Sequence, residues 1–180
     1  MIINKETIAQ LALKGKRLDG RGLLDYREPI AIETNISWTA EGSAKVRIGK
    51  TVVLAGVKTA LDKPYNDTPD EGGISVNVEL VPLSSADYEP GPPGQKAIEL
   101  ARVTDRGIRE SKAIDFKKLC IRPGEKAWFI TIDIITLNDD GNLFDAASLA
   151  ALAALKAARF PVADLVTGVI DYHSKTNEKL

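Results

Sequence analysis

Cysteine and histidine are nearly missing from this sequence: Cys120 and His173 are the only ones in 180 residues. A single cysteine excludes an intrachain disulfide and any zinc site built on cysteines. Flanked by Leu119 and Ile121, Cys120 reads as a buried small hydrophobe rather than a nucleophile. A Ser-His-Asp triad could be built only on His173, in a polar tail, which argues against nucleophilic catalysis of that kind. Aromatic residues are also few. Four Phe, four Tyr and two Trp are scattered, with Trp38, Trp128 and Phe129 in apolar contexts, so few rings are left for stacking on bases. Nor is there an excess of either charge. Twenty-four basic against twenty-five acidic residues give a net charge of −1, so any polyanion site must be a local patch. No apolar run approaches the ~20 residues of a membrane-spanning helix. The opening Met1-Ile2-Ile3-Asn4-Lys5-Glu6 lacks the basic region, apolar run and cleavage site of a secretory signal, and the chain is read as cytoplasmic.

What is present is the composition of one ordinary globular domain, 44% hydrophobic and 27% charged. Asn4 precedes a short helix over Lys5 to Lys14, with Ile8, Leu11 and Ala12 on one face and Gly15 as a stop. Arg17 to Gly22 reads as a turn. Alternation marks half-buried strands over Pro29 to Thr34 and Ser43 to Ile48, and Gly49-Lys50 turns the second into a more buried strand, Thr51 to Val57. Asp62 to Gly73, rich in Asp, Pro, Asn and Gly, is an exposed loop. Ile74 to Val81 alternates again, and the Pro/Gly run Glu89 to Gly94 forbids regular structure before a helix from Lys96 to Lys112. Lys118 to Ile121, a turn at Arg122 to Glu125, and Lys126 to Leu137 describe a hairpin into a long strand. Asn138 to Asn142 closes it, and Phe144 to Ala158 is an alanine-rich helix suited to burial under a sheet. Leu165 to Tyr172 reads as a last strand, with His173 to Leu180 frayed. The order, strands and helices segregated rather than strictly alternating, predicts an α+β fold.

Arg102, Arg106 and Arg109 recur at i, i+4 and i+7 and share one helical face. Each guanidinium fork can donate two charge-assisted hydrogen bonds to a phosphate, so such a row matches the backbone of a single strand. Lys96 lies near the same helix's entrance. The alternative is that the arginines pair with Glu99, Asp105 and Glu110 on a solvated face. Arg17, Arg21 and Arg27 are interleaved with Asp19, Asp25 and Glu28, a balance that reads as loop-fixing ion pairs. Asp139 and Asp140, between Asn138 and Gly141, are more simply turn residues than metal ligands, and Asp67, Asp70 and Glu71 form a solvated loop. Gly91-Pro92-Pro93-Gly94 is no phosphate loop, because proline removes the amide donors.

Taken in order, several motifs resemble the ribonuclease PH family: Arg17-Leu18-Asp19-Gly20-Arg21, Gly42-Ser43-Ala44, Gly72 to Glu79, Ala97 to Arg102 through Ser111, and Asp140-Gly141-Asn142 through Ala151. They span nearly the whole chain and are most similar to the non-catalytic ring subunits of the archaeal RNA exosome. The resemblance implies a mixed sheet packed with helices, related to domain 2 of ribosomal protein S5. It also implies pairing with a catalytic ribonuclease PH-like paralogue, three such heterodimers closing a hexameric ring, RNA-binding cap subunits, and single-stranded RNA threading the centre. Active members use inorganic phosphate to attack the 3′-terminal phosphodiester, with Mg2+ and carboxylates assisting.

Three departures from the active pattern stand in this chain. Active relatives carry Ser or Thr followed by Arg after the long strand to hold the phosphate, where this chain has Asn142-Leu143-Phe144. Neither Leu nor Phe can donate a hydrogen bond to phosphate. Paired arginines before the central helix correspond roughly to Gln95-Lys96. The family's catalytic aspartates lie in its second half, beyond Leu180, so residues 1–180 are expected to form one domain lacking the C-terminal part of the family fold. Catalytic residues and metal ligands are therefore expected to be none, and phosphate and Mg2+ belong to the paralogue. The resemblance places Arg102 and Arg106 toward the paralogue's active site, holding RNA backbone, with Lys96 nearby and Arg109 matched less securely. A self-sufficient phosphorolytic exonuclease and a scaffold without RNA contact are the competing readings.

Overall fold

In the computed structural model, residues 4–164 and 169–179 are described. A first helix, α1 (Lys5–Leu13), is capped by Asn4, whose side chain accepts from the Glu6 amide, and buries no residue. Strands β1 (Ile30–Thr34), β2 (Gly42–Ile48) and β3 (Thr51–Asp62) form an antiparallel meander. Strand β4 (Gly73–Leu80) precedes helix α2 (Gln95–Glu110), a 3-10 turn at Phe116–Leu119 and a short strand β5 (Cys120–Arg122). The long β6 (Lys126–Asn138), helix α3 (Leu143–Ala157) and the ribbon β7 (Arg159–Ala163) with β8 (Ile170–Lys179) complete the order. The main sheet runs β1-β2-β3-β6-β4, with β5 paired to β6 outside that path. β6 is antiparallel to β3 but parallel to β4, which is why α2 must lie between β4 and β6 in the chain.

Period-two alternation along β2, β3 and β6 sends Val46, Val53, Val57, Ile130, Ile132 and Ile134 to one buried face. The two longer helices cover that face. α3 presents Ala146, Ala147, Ala150, Ala151, Ala154 and Leu155, and α2 presents Ala97, Leu100, Thr104 and Ile108. Alanine allows α3 to approach closely, and the backbone uses the space: a Cβ on Gly42 would lie 2.3 Å from the Ala154 carbonyl oxygen and 2.6 Å from the Ala158 Cα. Glycine is likewise required where β4 begins, since a Cβ on Gly72 would meet the Trp128 carbonyl at 2.3 Å.

The expected α+β class and most elements are present, with instructive differences. β1 is exposed along its length because it is the sheet's edge, with a paired strand on one side only; its isoleucines Ile30 and Ile32 are about half exposed (49% and 47%). β3 continues past Val57 to Asp62, held by its full-length register with β6. Residues 118 and 119 finish the 3-10 turn capped by Asp115 rather than begin a strand. Cys120 is only partly buried. The segment expected to fray after Tyr172 is instead strand as far as Lys179, because β7 supplies its hydrogen bonds. The first residues of the predicted final strand, 165–168, lie outside the described residues. Trp38 differs most: it stands 97% exposed on the loop between β1 and β2, whereas Trp128 is 8% exposed and packs 5.2 Å from the Phe160 ring.

Candidate nucleic-acid interface

The arginine row of α2 falls opposite the buried face because helix periodicity leaves no other place for it. Ala97, Leu100, Thr104 and Ile108 point into the core, and Arg102 and Arg106 point away into solvent. They flank a groove of about 650 Å³ between β4 and α2, floored by Val76, Val78 and Ala101. Among the described residues Arg102 makes no hydrogen bond or ion pair. Arg106 reaches only Glu110, at 4.0 Å, with both side chains three-quarters or more exposed. Such a pair is weak and readily exchanged for another anion.

Arg109 has a different fate. Its Nε donates to Asp105 at 2.8 Å, one terminal nitrogen donates to the Ile74 carbonyl at 2.7 Å, and its guanidinium lies 5.3 Å over the Phe116 ring. The fork is spent on tying α2 to β4 and the 3-10 turn. Lys96 is similarly engaged. Its ammonium lies 2.7 Å from the Tyr88 hydroxyl and 3.4 Å from Asp139 Oδ2, and Tyr88 also donates to Asp139. Burial pushes Tyr88 above its ordinary range, reinforced by its bond to Asp139. The hydrogen bond with Tyr88 raises Lys96 against the opposing effect of burial. Of the four residues expected to contact RNA, the structure therefore leaves Arg102 and Arg106 open and engages Lys96 and Arg109 with partners inside the protein, Lys96 while its side chain stays exposed. Tyr88 and Asp139 were not singled out as partners in the sequence, since eight and forty-three residues separate them from Lys96.

The loop after β6 is held from three sides. Thr51 Oγ1 donates to the Gly141 carbonyl at 2.6 Å and accepts from the Asp140 amide at 3.0 Å. Asn138 donates to the Lys50 carbonyl at 2.7 Å, and Arg27 binds the Asp140 carbonyl. Asn142 takes a left-handed conformation, φ 61°, and starts α3 without capping it by its side chain. Leu143 then turns into the core while Phe144 is exposed. Asp139 accepts from Tyr88, Lys96 and the Gly141 amide, so its oxygens are engaged as turn anchors. Arg21 pairs with Asp19 at 2.7 Å and bonds the Asp25 carbonyl at 2.7 Å, in keeping with loop fixing near the start. Among the described residues no helix is long and apolar enough to cross a membrane.

Comparison with known proteins supplies the context for this geometry. The exosome complex component Rrp42 of Methanosarcina acetivorans is 55% identical over 159 residues, covering 88% of this chain and 59% of that protein. The protein of the same name from Pyrococcus horikoshii is 49% identical over 176 residues, covering 98% and 61%. A solved Archaeoglobus fulgidus exosome with RNA bound to the active site contains a chain that superposes with a TM-score of 0.82 at 51% identity, over 87% of this chain and 61% of that one. An archaeal exosome core gives a TM-score of 0.75 at 47% identity, over 86% and 57%. The chain thus spans about three fifths of the length of these relatives. The model of domain 1 of the 3′ exoribonuclease family, the ribonuclease PH domain, matches residues 27–161, and the chain belongs to that family.

Proposed function

We propose that this chain is a non-catalytic, cytoplasmic RNA-binding and structural subunit of an exosome-type complex. In that complex a catalytic ribonuclease PH-like paralogue degrades RNA from 3′ to 5′ with phosphate. Residues 1–180 act as one ribonuclease PH-like domain. Three heterodimers with the paralogue form a hexameric ring beneath RNA-binding cap subunits, and the phosphate and Mg2+ bind at the paralogue.

One contrast carries the reading. Where a phosphate ligand is needed, Asn142, Leu143 and Phe144 carry no cation of their own, Arg27 at that loop is bound to Asp140, and Lys96 is held by Asp139 and Tyr88. Where an RNA backbone could be held, Arg102 and Arg106 stand open beside a groove. Phosphate contacts position a strand without reading its sequence, so the binding is sequence-independent. Names and bound RNA among the similar proteins support the same assignment.

The test is 3′-end degradation of single-stranded RNA with phosphate and Mg2+ by the chain alone, by the paralogue alone, and by the mixture. Activity in the mixture beyond that of the paralogue, reduced by Arg102→Ala with Arg106→Ala, is the expected result. Phosphate-dependent activity from this chain alone would make it an enzyme in its own right. A stimulated mixture unaffected by the two substitutions would make it a scaffold without RNA contact.

A further inference from the structure

At the opposite edge of the sheet from α2, three cations that the arginine row does not include converge on one groove. Lys156 comes from the end of α3, Arg159 from the start of β7 and Lys175 from β8, and with Thr34 and Asn35 they border a cavity of about 540 Å³. The only carboxylate lining it is Glu41, which is 1% exposed. Its two oxygens are already taken by the Lys58 ammonium at 2.8 Å and the Thr59 amide at 2.9 Å. Among the described residues none of the three cations forms an ion pair with an acid. Arg159 gives one nitrogen to the Asn177 carbonyl at 3.0 Å. Lys175 donates to the Ala40 carbonyl at 2.7 Å and lies 3.3 Å from that of Glu41. Lys156, among the described residues, makes no ion pair. A cation near a helix C-terminus can serve the helix dipole, which would account for Lys156 but not for Arg159 or Lys175.

Trp38 is not itself a lining residue but sits on the loop that runs on from Asn35 at the groove's border. The loop that carries it is pinned rather than loose: Lys58 binds the Thr39 carbonyl at 2.8 Å, Ser37 donates to Ser43 Oγ at 2.9 Å, and the Asn35 amide bonds the Ser43 carbonyl at 2.8 Å. Lys175, which lines the groove, also holds the Ala40 carbonyl two residues from Trp38. The indole is thus presented to solvent by a fixed loop that continues from the groove's border. Fixed cations that track a backbone, with a flat ring for a base, make up the general device for holding single-stranded nucleic acid.

We propose that this groove is a second site for single-stranded RNA, with its phosphates on Lys156, Arg159 and Lys175 and a base stacked on Trp38. It rests on the reading of the chain as an RNA-binding subunit. Four strand spacings separate β1 from β4, about 19 Å, so this site and the α2 row are separate contacts.

The test uses the full chain and its own fluorescence, because Trp128 is buried and Trp38 is the exposed indole. Single-stranded oligoadenylate at low salt is expected to quench the emission, and the quench persists in the Arg102→Ala, Arg106→Ala variant. In that background Trp38→Ala weakens binding about tenfold, and Lys156→Gln lowers the slope of log affinity against log salt by about 1. Neither substitution touches the core, so loss of folding does not confuse the result. Oligoadenylate that binds by anisotropy with unchanged emission, and equally well to both variants, overturns the groove while leaving the α2 row standing. Inorganic phosphate competing at Lys156 in the absence of any quench by oligoadenylate overturns it as well, leaving a small-anion site. If the wild-type chain binds no oligoadenylate, the groove is overturned directly, and the α2 row is judged separately by the mixture with the paralogue.

Discussion

The Lys96 ammonium lies 3.4 Å from the Asp139 carboxylate, joining the first turn of α2 to the end of β6. Tyr88 bonds to both, so the three side chains form one closed cluster. Burial acting alone would raise Asp139. The bonds from Tyr88 and the Gly141 amide and the charge of Lys96 outweigh it and hold the carboxyl below its ordinary value.

A carboxyl depressed in the folded state contributes stability above its unfolded value, about 3.9, and loses it as pH falls through the folded value. Lys96, raised in the folded state, contributes below about 10.4 and loses it as pH rises further. The cluster therefore works between these limits. Asp139→Asn is expected to lower stability by about 1–2 kcal/mol at pH 7. Urea melts should show the gap from the unsubstituted protein closing below about pH 4. A gap that stayed constant into acid would rule out the charged role of Asp139.

Arg109 and Arg102 share a helical face but not a role. Arg109→Ala removes the tie to Asp105 and Ile74 and is expected to cost about 1–2 kcal/mol. Arg102→Ala should leave the melting temperature unchanged and act only on RNA affinity and its salt dependence. Thermal melts of the two variants, set beside RNA titrations, separate the roles. Equal melting temperatures would contradict the inward assignment of Arg109.

Glycines 42 and 107 give opposite expectations for the same substitution. At Gly42 an added methyl meets the backbone of Ala154 and Ala158, and Gly42→Ala should cost about 3 kcal/mol through forced separation of α3 from β2. At Gly107, inside α2, nothing lies within 4 Å of an added Cβ, and Gly107→Ala should stabilise by about 0.5–1 kcal/mol. Denaturant midpoints of the pair check both signs.

Glu41 is a buried carboxylate whose two partners come from β3. Glu41→Leu strands the Thr59 amide and releases Lys58, for an expected loss of about 2–3 kcal/mol. Because Lys58 is partly exposed and can return to water, the figure stays below that of a fully buried pair. Hydrogen exchange at Thr59 should accelerate in the variant, and an unaltered rate would mean another group accepts from that amide.

Much of this protein was legible residue by residue. Alternation located β2 and β4, an apolar run after a turn located β3, the hairpin turn at Arg122 to Glu125 located β6, the Pro/Gly run placed the start of α2, and the balanced charges around Arg21 and Arg27 foretold loop-fixing contacts. The errors have one cause. Edge or centre, frayed or paired, are properties conferred by a neighbouring element, so β1 was expected to be half-buried and β8 to be loose. Trp38 was misplaced for the same reason: apolar neighbours in sequence say nothing about what lies above a loop.

By itself the sequence determined what acts through adjacent residues or fixed periods: the helices and most strands, the family motifs, the exclusion of an intrachain disulfide, and a helical face bearing Arg102 and Arg106. It could not determine which charges stay free. Lys96 is claimed by Asp139 from forty-three residues away and Arg109 by Ile74 from thirty-five, and Lys175 joins Lys156 and Arg159 only because β8 pairs with β7. Periodicity is set by the geometry of one element, whereas the fate of a charge depends on which elements the fold brings within a few ångströms of it.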